Sequence, residues 1–162
     1  MDASLLLLCL VVGLALVFDF SDGRVARWRH NASALGADLD SLADVISFGM
    51  APAALGFACG MRGAVDVVIL LYFVCCGISR LARFNVTAAD LADDSGKVKY
   101  FEGTPIPSSL LLVGVLAVCA WQGWLGDALP GGKIDVGPTL HWATLLYAVS
   151  GSAMISKTLR IP

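Results

Sequence analysis

Charge is scarce in this sequence. Only 15% of its 162 residues are Asp, Glu, Lys or Arg, against 57% hydrophobic, and the mean hydropathy is +0.78. Ordinary soluble domains carry roughly 25% charged residues, so that class is excluded and the chain belongs in a bilayer. Histidine is rarer still. No second imidazole stands at ligand spacing from His141, which is expected to serve packing or interface placement. The five cysteines, Cys9, Cys59, Cys75, Cys76 and Cys119, form no C-x-x-C pair. All lie in apolar stretches, where they read as small buried hydrophobes rather than a disulfide framework. A basic leader is missing too: Asp2 follows Met1, and the first apolar run ends in carboxylates instead of a small-residue cleavage site. That run is expected to be a membrane helix rather than a signal peptide. There is no internal repeat, low-complexity tract or second domain, so residues 1–162 are expected to form a single membrane-embedded domain.

What is present is a set of five hydrophobic stretches, Ala3 to Phe18, Val45 to Met61, Ala64 to Ile78, Pro105 to Leu125 and Pro138 to Ile155. Several are shorter than the roughly 20 apolar residues a spanning helix needs, so polar residues shielded inside a bundle must complete them. In an up-and-down threading, Arg24, Arg27, Arg29, Arg80, Arg83, Lys97, Lys99, Lys157 and Arg160 fall on one side, against Arg62 and Lys133 on the other. The positive-inside rule makes the richer side cytoplasmic. Trp121, Trp124 and Trp142 mark an aromatic belt on the opposite side, where Gly131-Gly132 after Pro130 predicts a turn. Pro52 is expected to kink the second stretch. Gly56 and Gly60 form a G-x-x-x-G that permits close helix contact and admits a homodimer.

The chemistry concentrates between Asp19 and Asp44. Asp19 and Asp22 stand at i, i+3, and Gly36, Asp40 and Asp44 at i, i+4 steps, so two carboxylate pairs can face each other across a helix hairpin. Four acids this close cannot all stay ionised at a membrane boundary without cations between them. Basic side chains could neutralise them, as could a metal. An all-Asp set suits hard divalent ions, Mg²⁺ or Mn²⁺, and the lack of neighbouring Cys or paired His argues against zinc. Gly23, Ala26 and Gly36 leave room for a bulky ligand. Two such ions could clamp the attacking and leaving oxygens of a phosphate.

The full spacing, D-x-x-D-G-x-x-A-R-x8-G-x-x-x-D-x-x-x-D, resembles without a mismatch the signature of the CDP-alcohol phosphotransferase family. The resemblance implies an all-α, polytopic transmembrane bundle of about five membrane helices here, lacking the family's first helix and incomplete at both ends. It implies two divalent ions held by Asp19, Asp22, Asp40 and Asp44, with Asp44 also the general base. Gly23, Ala26 and Gly36 would line the cytidine nucleotide, and Arg27 would hold donor phosphate.

Further stretches narrow the acceptor. Val45-Ile46-Ser47-Phe48-Gly49 with Pro52, Ser79-Arg80-Leu81-Ala82-Arg83-Phe84-Asn85, and Phe101-Glu102-Gly103-Thr104-Pro105-Ile106-Pro107 look like stretches of phosphatidylserine synthases, most like the fungal branch. That likeness implies CDP-diacylglycerol and L-serine as substrates, in the endoplasmic reticulum membrane of a eukaryote. Arg83, with Phe84 and Asn85, is the first choice for serine's carboxylate and Arg80 the alternative, since a guanidinium fork matches a carboxylate. Lys97 and Lys99 could attract anionic lipid. No nucleic-acid partner is expected. Inositol or glycerol 3-phosphate as acceptor, or a divalent-cation transporter, are the rival readings. Asp66 and Asp127 are expected at the interface, Tyr72 and Tyr147 in the core or at an interface rather than in catalysis, and Asp90, Asp93 and Asp94 in a solvated loop.

Overall fold

A computed structural model describes residues 3–29, 34–91, 101–102, 104, 106–129, 131–135, 139–156 and 160–161. Lys97, Lys99, Asp93 and Asp94 lie outside them. Five helical rods account for most of the described chain. Helix α1 (Ala3–Arg29) runs well past Phe18, since no proline or glycine pair interrupts it. The second rod is composite: α2 (Ala34–Asp44), a π-helical turn (Val45–Met50) and α3 (Ala51–Ala58) follow without a break. Then come α4 (Ala64–Leu91), α5 (Leu110–Gln122), which a 3-10 turn at Ile106–Ser109 leads into, and α6 (Thr144–Ile155).

The π turn answers the expectation of a kink. Pro52 cannot donate a backbone hydrogen bond, and its ring crowds the carbonyl one turn earlier. The chain widens before it and restarts with Pro52 in the first turn of α3, where no donor is needed. Phe48, in the widened turn, is fully buried.

Short connections set the neighbours. A tight turn folds α4 back along α3, and Gly56 of α3 packs against Leu70 and Tyr147. Gly60 in that turn has φ +120° and lies against the backbone of Gly126, so only glycine fits there. The close approaches that Gly56 and Gly60 permit are therefore made within the chain. Helix α6 runs parallel to α4: Thr144 meets Asp66, Tyr147 stacks edge-on against Phe73 at 5.2 Å, Gly151 lies against Phe73 and Cys76, and Arg83 reaches the Ile155 carbonyl. Helix α1 packs on α5, α3 and the π turn.

Two small antiparallel ladders complete the fold. Strand β1 (Phe101–Glu102) pairs with β4 (Arg160–Ile161), and β2 (Lys133–Asp135) pairs with β3 (Thr139–His141). The turn before β2 has Gly131 and Gly132 at φ +88° and +68°, as the sequence predicts. The last apolar stretch is helical only from Thr144, because Thr139 to His141 are drawn into the ladder.

The core holds Phe48, Phe73, Met61, Tyr147 and Met154, while Leu10, Phe18, Val68, Val86, Leu111 and Val149 point outward. An apolar outer face over an apolar core is the arrangement lipid requires. Leu39–Ala58 and Ala64–Val86 are long and apolar enough to cross a membrane.

Candidate active site

Helix α2 carries Gly36, Asp40 and Asp44 on successive turns. Gly36 and Asp40 are exposed and Asp44 is half-buried. Ser41, between the two acids, accepts a 3.0 Å hydrogen bond from Asn85 Nδ2 near the end of α4. This bond sets the acidic turn of α2 beside the Arg80–Asn85 turn of α4. Four of the expected site residues thereby meet two others: Arg80, Arg83, Phe84 and Asn85 lie at the same end of the bundle as Asp40 and Asp44.

The two arginines differ in what they do. Arg80 is only 8% exposed, interacts electrostatically with Asp44, and places its guanidinium 5.8 Å from the Phe84 ring centroid. Arg83 donates from Nη1 to the Ile155 carbonyl at 3.4 Å. A cation there suits the exposed carbonyls at the C-terminal end of α6.

Asp19, Asp22, Gly23, Ala26 and Arg27 all lie on α1, and their side chains fall outside those described. By helix rise, Asp22 and Asp19 stand about 10 and about 15 Å from the Arg29 end of α1, and Asp40 and Asp44 about 9 and about 15 Å from the Ala34 end of α2. Among the described residues no three His, Cys, Asp or Glu side chains converge. The donor set on α2 is nonetheless of the right kind for a hard divalent cation: carboxylate oxygens one turn apart, with no thiolate or imidazole among them.

A second polar cluster occupies the other end of α4. Asp66 is fully buried, which corrects its expected interfacial position. Its Oδ1 accepts from His141 N at 2.9 Å and from Thr144 Oγ1 at 2.8 Å, and its Oδ2 accepts from Gly63 N at 3.1 Å and lies 2.6 Å from His141 Nδ1. Fourteen residues separate Asp66 from Arg80, about 21 Å of helix, so this cluster clamps α4, β3 and α6 together far from the acidic turn. Sequence spacing gave no sign of it, since its members come from three separate elements. Asp127 is exposed, and it pairs with Lys133 at 3.1 Å.

Comparison with known proteins adds a second line of evidence. Residues 1–150 match the CDP-alcohol phosphatidyltransferase family. The CDP-diacylglycerol–serine O-phosphatidyltransferase of Saccharomyces cerevisiae is 51% identical over 153 residues, 92% of this chain and 55% of the relative. The protein of the same name from Methanocaldococcus jannaschii is 41% identical over 105 residues, 64% of this chain and 47% of that one. The archaetidylserine synthase of Methanothermobacter thermautotrophicus is 39% identical over 115 residues, 69% of this chain and 46% of the relative. The chain thus spans about half the length of these relatives.

Proposed function

The chain belongs to the CDP-alcohol phosphatidyltransferase family, and from that premise we propose that it transfers a phosphatidyl group from CDP-diacylglycerol to L-serine, giving phosphatidylserine and CMP. The observation that carries this reading is the Ser41–Asn85 bond, which sets the Asp40/Asp44 turn against the turn bearing Arg80 and Arg83. A reaction that joins an anionic lipid diphosphate to an amino acid needs both: carboxylates for cations and proton transfer, and a guanidinium for the acceptor's carboxylate. The names of the relatives above point the same way.

In this reading Asp19, Asp22, Asp40 and Asp44 hold two divalent ions, Mg²⁺ or Mn²⁺. When bound, such ions offset the charge of the donor diphosphate and of the departing CMP. The protein's own groups do the rest. Asp44 accepts the proton of the serine hydroxyl as its oxygen bonds to phosphorus, because an alcohol is a weak nucleophile at neutral pH. The bond from that phosphorus to the CMP oxygen breaks, and CMP leaves with the electron pair. Gly23, Ala26 and Gly36 give the nucleotide room, and Arg27 pairs with donor phosphate. Arg80, with Arg83, Phe84 and Asn85, faces the serine. The acidic end faces the cytoplasm, in the endoplasmic reticulum of a eukaryotic cell, where the basic residues concentrate. A homodimer, where one forms, uses a surface other than Gly56 and Gly60.

The test is CMP release by the purified protein from CDP-diacylglycerol with Mn²⁺ or Mg²⁺, offering serine, inositol or glycerol 3-phosphate in turn. Turnover with serine is expected. Turnover confined to another alcohol overturns the acceptor, and CDP-lipid binding indifferent to metal overturns the enzymatic reading.

A further inference from the structure

Beside the acidic turn lie three buried side-chain atoms with no hydrogen-bond partner among the described residues: Arg80 Nε, Thr104 Oγ1 and Ser109 Oγ. Arg80 is 8% exposed and Ser109 wholly buried. Burying one such atom without a partner is unfavourable, and a native protein rarely leaves several together unless something else satisfies them.

Their neighbours set them at a common level of the bundle. The Thr104 amide donates to the Ala153 carbonyl of α6. Ala153 lies between Gly151, which abuts Cys76, and Ile155, which meets Arg83, so Thr104 stands level with Arg80 on α4. The 3-10 turn then seats Ile106 beside Gly77, one turn from Arg80. In a 3-10 helix residues three apart eclipse, so Ser109 projects from the same side as Ile106. That turn packs on both α4 and the π turn. On the π turn Gly49 is buried, and a side chain there would meet no described residue within 4 Å.

Ser109 is also the residue before the first turn of α5, and its hydroxyl makes no capping bond. The N-terminal end of a 13-residue helix favours an anion, and the arginine favours one too. The hydroxyls of Ser109 and Thr104 could each donate one hydrogen bond to it. We infer that Thr104 and Ser109 line, with Arg80, a pocket that receives the carboxylate of the amino-acid acceptor. This rests on the serine reading above and adds two residues to it. Donor phosphate is the other anion at hand, and kinetics separates the two.

The experiment compares Ser109→Ala and Thr104→Val with wild type, in the complete protein reconstituted in lipid. It reads KM for serine, KM for CDP-diacylglycerol, kcat and melting temperature. Each variant is expected to raise the serine KM about tenfold, the loss of one hydrogen bond to a charged group. The donor KM should stay unchanged, and the melting temperature unchanged or higher, since a hydroxyl lacking a partner is removed. An unchanged serine KM overturns the inference, as does a rise in donor KM, which would give the pocket to phosphate. A fall in melting temperature with normal kinetics, or failure to fold, makes the hydroxyls structural and overturns it too. If wild type itself does not use serine, the parent reading fails. If wild type does and the variants match it, only the present inference fails.

Discussion

Asp44 and Arg80 act on each other across the α2–α4 contact, so the charge of one bears on the other. Asp44→Asn keeps the shape but cannot take a proton. It is expected to lower CMP release by about 10²- to 10⁴-fold, the usual worth of a general base. CDP-lipid binding should persist, and wild-type turnover in that variant removes Asp44 from its role. Asp66 is a different kind of acid. It is fully buried and satisfies groups on Gly63, His141 and Thr144. Asp66→Ala strands those groups and is expected to destabilise the fold by about 3 to 5 kcal/mol, as breaking a buried pair does. The check is a thermal melt in detergent. An unchanged melting temperature there means that the cluster does not hold the fold.

At the scale of elements, much is legible in the sequence. Asp19 and Asp22 can share a helix face only if α1 runs past Phe18, and it continues to Arg29. The five apolar stretches became five rods because a long apolar run has few ways to satisfy its backbone in lipid. Two features stayed hidden. The π turn depends on how α3 packs, since Pro52 alone predicts only a break. Thr139 to His141 look like helix by hydropathy, but Asp66, 75 residues away from His141, takes the His141 amide and side chain. Local patterns carry no trace of such a bond. Gly56 shows the same limit, for its motif reads as a dimer contact while its neighbours are Tyr147 and Leu70. Gly56→Val meets the Tyr147 hydroxyl, 3.0 Å from where a Cβ would stand. It should lower the melting temperature while leaving the oligomeric state, read by light scattering, unchanged. A shift in oligomeric state alone would return the glycines to an intermolecular role.

For the molecule as a whole, the two polar clusters divide the labour along α4. One end carries the acids and arginines proposed for chemistry, and the other carries the Asp66 clamp. Of the candidate site, the α2 acids were legible from their helical spacing, and the 80–85 turn only from its likeness to phosphatidylserine synthase stretches. The hydroxyls of Thr104 and Ser109 were not, because only packing shows that they are buried without partners. Chelation of divalent cations is expected to abolish CMP release, and added Mn²⁺ or Mg²⁺ to restore it. Full activity in the presence of a strong chelator would count against the carboxylate site.

Helices α5 and α6 are brief, with 13 and 12 residues. That is about 20 and about 18 Å of rod against a hydrocarbon layer of about 30 Å. A rod shorter than the hydrocarbon layer is accommodated by thinner lipid, by flanking polar residues reaching for the headgroups or by association, and the mismatch grows with acyl-chain length. Bilayer thickness is thus a variable to which this protein is exposed, and longer-chain lipids should press hardest on the α5–α6 side.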